Sequence, residues 1–159
     1  MFPLRQRCVG PVVDDVASAV EAALADLELA RIVQPGQRVA ITAGSRGIAN
    51  IAEALRAIVG HVRHLGAEPV LVSAMGSHGG ATAAGQRRVL ESYGVTEASM
   101  GCPVHTSMDV VELGRSPLGI PLFCDGQAAA ADHVIVCNRV KPHTLFEGVV
   151  ESGIAKMLM

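Results

Sequence analysis

The chain is poor in aromatic side chains. It has no tryptophan, one tyrosine and three phenylalanines, so aromatics make up 3% of its 159 residues. Stacking of bases on aromatic rings is therefore not available as a main mode of binding. A basic tract is missing as well: 13 Lys and Arg stand against 15 Asp and Glu, for a net charge of −2. That balance excludes the electrostatic footprint of a nucleic-acid binder. No apolar run reaches membrane-spanning length. The opening Met1-Phe2-Pro3-Leu4-Arg5-Gln6-Arg7 lacks the apolar core of a signal peptide. The four cysteines, Cys8, Cys102, Cys124 and Cys137, form no CxxC pair, so zinc-knuckle spacing is absent too. Neither an internal repeat nor a low-complexity tract is found. These absences predict a cytoplasmic protein with no nucleic-acid and no membrane partner.

What is present is aliphatic. Half the residues are hydrophobic, mostly Ala, Val, Leu and Ile, enough for one domain with a real core. A short strand is predicted at 5–9. Asp14 or Asp15 then reads as the N-cap of an amphipathic helix over 15–31, stopped by Pro35-Gly36. Residues 38–43 (RVAITA) form the first clear buried strand. Gly44-Ser45-Arg46-Gly47 turns into a helix over 48–65, capped by Gly66, and 69–74 is the next strand. A third helix is predicted over 81–93. Beyond it the pattern loosens: 108–113 and 120–124 read as a hairpin or two short strands, 127–131 as a short helix, and 133–138 (HVIVCN) as another buried strand. Cys137 lies in that run as a small core residue. The last segment, 151–159, looks helical and ends in Met157-Leu158-Met159, an apolar end that calls for a partner or a further domain. Alternating strands and helices imply right-handed crossovers. The expected fold class is α/β, a mainly parallel Rossmann-like sheet flanked by helices, with a site at the C-terminal strand ends.

Three apolar runs end in loops marked by glycine, proline or polar residues. Ala43 leads into Gly44-Ser45-Arg46-Gly47, Ala74 into Gly76-Ser77-His78-Gly79-Gly80, and Cys137 into residues 138–144. Parallel strands would put all three loops on one edge, the usual place for a site in an open α/β sheet. The glycines around His78 permit positive φ and close approach of a ligand to the backbone; alone, they would equally make a tight turn around a solvated ring. That edge would gather Ser45, Arg46, Ser77, His78, Asn138, Arg139, Lys141, His143 and Thr144, a cationic set with two imidazoles. Arg46 can grip a carboxylate or phosphate through two parallel hydrogen bonds. The helix expected near Gly47 would add free N–H groups. Imidazole titrates near neutral pH, and no carboxylate lies in these loops, so proton transfer fits better than a closed metal site. Taken singly, Arg46 could be an exposed ion-pair partner, Lys141 a solvated loop charge and His143 a turn residue beside Pro142. His61 and His64 have the spacing of a helical metal pair, which a solvated helix end also explains. His133 is expected at the strand end away from the site, and His105 has no assigned role. GSRG lacks the GK[ST] ending of a P-loop, and no GxGxxG with a downstream acid is present.

Four strings now stand out together: Gly44-Ser45-Arg46-Gly47-Ile48-Ala49-Asn50, Ala74-Met75-Gly76-Ser77-His78-Gly79-Gly80-Ala81-Thr82, Asn138-Arg139-Val140-Lys141-Pro142-His143-Thr144 and Glu151-Ser152-Gly153-Ile154-Ala155-Lys156-Met157. They resemble the N-terminal domain of the nickel-dependent lactate racemase family over nearly the whole chain. The resemblance implies a two-domain racemase or epimerase of a small 2-hydroxy acid. Its cofactor would be the nickel pincer nucleotide, nickel pyridinium-3,5-bisthiocarboxylic acid mononucleotide, which accepts a hydride from C2 while a histidine takes the hydroxyl proton. By motif, His78 and His143 would serve the two enantiomers. Arg46 would orient substrate, with Ser45 and Lys141 beside it. Lys156 would tether the cofactor, with Gly76 and Ser77 close to it. No nickel ligand is expected within residues 1–159; the family's nickel-binding histidine and the C-terminal domain would follow, so this chain alone should be inactive. Two departures matter. Ala43-Gly44-Ser45-Arg46 stands where the racemase motif has Asp-His-Thr-Arg, which argues against lactate itself. The interval from His143 to Lys156 is also longer than in the family.

Two other classes compete with this expectation. A module that holds an anion or phosphorylated metabolite without chemistry would use the same cationic edge. A metal-dependent hydrolase would use His78 and His143 as ligands, against which stands the lack of a carboxylate in these loops.

Overall fold

The computed structural model describes residues 12–45, 48–139 and 147–148. The expected strand at 5–9, Arg46, Gly47, Lys141, His143 and the segment 151–159 lie outside these residues.

Helix α1 (Val16–Asp26) starts at Asp15, whose carboxylate accepts the Ser18 N–H at 2.9 Å. That bond holds the Asp15 carboxyl below its ordinary range. The helix is shorter than its apolar spacing predicts. Glu28 takes a left-handed conformation (φ 48°), and a separate 3-10 turn, Leu29–Arg31, follows. Strand β1 (Arg38–Ala43) leads to α2 (Ile51–His64), which begins three residues later than expected because Asn50 is also left-handed (φ 56°). Ile51, Leu55, Ile58 and Val62 recur at helical spacing and are buried. The helix ends at the positive φ of Gly66, with His61, Arg63 and His64 in its last turn, where cations suit the carbonyl end of the dipole. Strand β2 is Glu68–Ser73. A 3-10 turn at His78–Ala81 then precedes α3 (Ala83–Ser92), so the expected single helix from 81 starts at the Thr82 cap instead.

Beyond Tyr93 lie two elements that the pattern did not predict. Helix α4 (Glu97–Met100) is closed by a Thr96/Ser99 capping box, and β3 is the two-residue Val104–His105. The hairpin is β4 (Val110–Arg115) with β5 (Pro121–Asp125), antiparallel with an irregularity between Glu112 and Gly114. Helix α5 (Gly126–Ala129) is capped by Asp125, and β6 is His133–Ile135, half the length expected. The shortening has a local cause. The Cys137 N–H donates to Thr42 Oγ1 at 2.9 Å, and that hydroxyl donates to the Cys137 carbonyl at 3.2 Å. A side chain of β1 thus replaces the ladder there.

The main sheet has the order β3-β2-β1-β6, all parallel, with Ile41 opposite Leu71 on one side and Ile135 on the other. Val39, Ile41, Ala43 and Leu71 join the larger core with Leu24 of α1, the apolar face of α2, Leu90, Met100 and Val104. Ala40, Val70 and Val72 form a smaller core with Ala128 of α5, flanked by Cys124 and Ala131. Covered on both faces, β1 reads as one apolar run, as a central parallel strand does. This is the Rossmann-like α/β arrangement expected from the sequence. The hairpin carries Val110, Leu113, Ile120 and Phe123 exposed. No helix among the described residues is long and apolar enough to cross a membrane.

His61 and His64 do not act as a pair. The His61 side chain is 16% exposed, with Nδ1 3.6 Å from Glu21 Oε2 on α1, whereas His64 is exposed. His61 is thus packed between helices, and the solvated helix end holds only for His64. His133 lies at the far end of the sheet, Nε2 2.9 Å from Gln37 Oε1. His105 is exposed on β3.

Leu55 is fully buried under the sheet. Its replacement by Ala is expected to lower unfolding free energy by about 3 kcal/mol, measured by urea denaturation.

Candidate active site

The chain leaves β1 toward β2 on one side and reaches β6 on the other. The direction of winding therefore changes at β1, and the crevice of such a sheet opens beyond the carboxyl ends of the strands at that point. Ser45 follows β1 there and is 7% exposed. Asn138 follows β6: a Cβ built on Gly44 would stand 3.9 Å from Asn138 Oδ1. The parallel pairing of Ala43 with Ser73 brings the loop after β2 to the same edge.

That loop is held by close backbone packing. Gly79, Gly80 and Ala81 all have positive φ (64°, 69° and 52°). This left-handed turn folds back onto the start of α3. A Cβ on Gly79 would come within 2.4 Å of the Gly85 carbonyl carbon, and one on Gly85 within 1.7 Å of the Gly79 oxygen. Both positions must therefore be glycine. Thr82 Oγ1 ties the two together, accepting the Gly85 N–H and donating to the Gly79 carbonyl, each at 3.1 Å. From the other side, the buried Gln86 amide accepts the Ser73 hydroxyl at 2.6 Å and donates to the Gly76 carbonyl at 2.8 Å. Both ends of this amide are satisfied, as burial requires. The loop is thus fastened to β2 and α3 before His78 makes any contact.

His78 is half-buried, and its Nδ1 is hydrogen-bonded to the Ser45 hydroxyl. The Tyr93 hydroxyl, at the end of α3, donates to the Ser45 carbonyl. Ser45, His78, Gly79, Val89 and Tyr93 line a cavity of about 170 Å³. That is below the ~300 Å³ at which pockets for drug-sized ligands begin. The ring carries one nitrogen held by Ser45, leaving Nε2 for a ligand. A small molecule bound there would meet one group able to move a proton and hydroxyls able to orient it.

The structure brings Ser45, His78 and Asn138 to one edge. Gly76 and Ser77 lie exposed on the His78 loop, and Arg139 is exposed beyond Asn138. Arg46, Lys141, His143, Thr144 and Lys156 lie outside the described residues. Gln86, Val89 and Tyr93 were not singled out from the sequence. Tyr93 had one available signal, since it is the sole tyrosine of the chain. Burial pushes the Cys137 thiol up, as expected of a core residue; at Cys102 burial also raises it, opposed by Arg63. Among the described residues no three His, Cys, Asp or Glu side chains converge as a metal site.

Residues 5–149 match the lactate racemase N-terminal domain. The chain belongs to this family. No curated protein matches it. The nickel nucleotide implied by the family can be tested against the described side chains. One imidazole and several hydroxyls fit the handling of a substrate alcohol and its proton. The residue expected to tether the nucleotide, Lys156, lies outside the described residues. The described edge of this lactate racemase-family domain carries Ser45, His78 and Tyr93 together.

Gly85→Ala is expected to cost about 2 kcal/mol by urea unfolding and to shift the His78 ring resonances, because its Cβ meets backbone. Gly80→Ala meets nothing within 4 Å and should cost only about 1 kcal/mol, from its left-handed φ. Cys102 is expected to stay unalkylated in the folded chain at neutral pH and to react on unfolding, followed by mass spectrometry.

Proposed function

We propose that the protein containing this domain interconverts the two configurations at C2 of a small 2-hydroxy acid, with His78 as an acid/base. The observation that carries the reading is the half-buried His78 ring, held at Nδ1 by Ser45, at the mouth of a small cavity beyond β1. Membership of the lactate racemase family supports the reaction type. The nickel pincer nucleotide, when bound, would supply the acceptor for the C2 hydride. The chain's own residues do the rest. Nε2 of His78 takes the proton of the substrate hydroxyl as the C2–H bond weakens, and returns it when the planar 2-keto acid is reduced again. A planar carbon can be reduced on either face, so configuration is lost.

In this reading His143 serves the opposite enantiomer and Arg46 binds the carboxylate, aided by Lys141. Lys156, with Gly76 and Ser77, holds the nucleotide. The domain works with a C-terminal domain, which brings the nickel ligand. A cytoplasmic setting accompanies this reading; Cys102, Cys124 and Cys137 are free thiols.

The test uses the whole cofactor-loaded protein and single enantiomers of C2-deuterated 2-hydroxy acids, analysed by chiral chromatography and mass spectrometry. Conversion to the other enantiomer with deuterium kept at C2 is expected. His78→Ala should lower kcat by about 10²- to 10⁴-fold, and His143→Ala should do likewise. Anion binding without interconversion by any 2-hydroxy acid would overturn the reading in favour of a binding module. Wild-type rates in both variants would remove the histidines from the mechanism.

A further inference from the structure

We infer that Ser45 is the positioning residue of His78: its hydroxyl accepts the Nδ1–H of the ring and so reserves Nε2 for proton exchange with the substrate. The inference rests on the reading of His78 as the acid/base of the site.

Three observations carry it. First, the Ser45 hydroxyl is bonded to His78 Nδ1 and has no other hydrogen-bond partner among the described residues. That hydroxyl can donate or accept in this bond, and the base role of Nε2 requires that it accept. Second, Ser45 is itself fixed. It follows directly from β1, is 7% exposed, and has its carbonyl held by the Tyr93 hydroxyl. It gives the ring a reference point on the most buried strand of the sheet. Third, the His78 backbone is fixed independently by the Gly79–Gly85 contact and by Gln86. With its main chain tied to α3 and its ring tied to β1, His78 has little freedom left.

The chemistry then selects the direction of the bond. A neutral imidazole takes a proton at Nε2 only when its own proton is on Nδ1. That proton needs an acceptor, and among the described residues Ser45 Oγ is the one bonded to it. On transfer, the substrate O–H bond breaks with its electron pair left on oxygen, and an N–H bond forms at Nε2. The Nδ1–H bond to Ser45 is the same before and after. The ring therefore moves one proton without exchanging partners. Ser45 touches the ring and not the reacting atoms, so it acts through His78.

The test reads the tautomer directly. The full chain, labelled with 15N-histidine, is observed by long-range 1H–15N spectroscopy at a pH where the His78 ring is neutral. Wild type is expected to show mainly the Nδ1–H tautomer. Ser45→Ala should lower the Nδ1–H to Nε2–H ratio by about two- to tenfold, the worth of one ordinary hydrogen bond. Ser45→Thr, which keeps the hydroxyl, should restore it. In the cofactor-loaded protein Ser45→Ala should reduce kcat about tenfold with KM little changed, and Ser45→Thr should recover most of the loss. A wild-type ring that is mainly Nε2–H, or one whose tautomer ratio ignores Ser45→Ala, overturns the inference. A ratio that shifts as expected in a protein that racemises no 2-hydroxy acid keeps the positioning role and overturns the racemase reading instead.

Discussion

The site depends on a contact between two stretches of backbone. Gly79 and Gly85 approach so closely that neither tolerates a Cβ. Without that approach the left-handed turn after β2 could not lie flat against α3, and His78 would not project over the end of β1. The remaining fastenings follow from it. Thr82 can reach both glycines because they are adjacent, and Gln86, one residue on, faces back to Ser73 and Gly76. Two small residues six positions apart thus decide where an imidazole stands. Glycine's entropic cost on folding is offset here by a geometry that no other residue allows.

The second constraint is the position of β1. Buried on both faces and paired on both edges, it is the most fully buried strand of the sheet. The winding reverses across it, so its carboxyl end opens into a crevice with β2 on one side and β6 on the other. Ser45 is the residue at that opening. The bond from the Tyr93 hydroxyl adds the far end of α3 to the same point. Elements distant in sequence therefore converge on one buried residue, His78 on its hydroxyl and Tyr93 on its carbonyl. Thr42 has a related role within β1 itself: it holds Cys137 through both backbone groups and brings Asn138 alongside Gly44.

Much of this was legible in the sequence, for reasons that differ from element to element. β1 and β2 announced themselves because two-sided burial demands an unbroken apolar run. The apolar face of α2 was plain, but its start was not, since nothing in the letters says that Asn50 turns left-handed. β3 left no signal: with two residues, one of them an exposed histidine, it has no periodicity to read. β6 was overestimated because residues 136 and 137 are apolar, while the Cys137 backbone bonds to a side chain. At the site, His78 and Ser45 could be placed on one edge from strand order alone. Their direct contact, and the roles of Gln86 and Tyr93, are long-range facts that depend on how α3 packs. Periodicity reports the faces of elements, not which loop touches which.

A hydroxyl beside the ring also suits the kind of reaction proposed. In racemisation the forward and reverse chemistries are alike, so the group that removes the proton must release it with comparable ease. A serine orients the ring through a neutral hydrogen bond. Ala43, the last residue of β1, is wholly buried in the larger core and brings no charge toward the ring. Between the end of β1 and His78 the described side-chain link is thus one hydroxyl. This is an environment that fixes the direction of the ring before any substrate arrives.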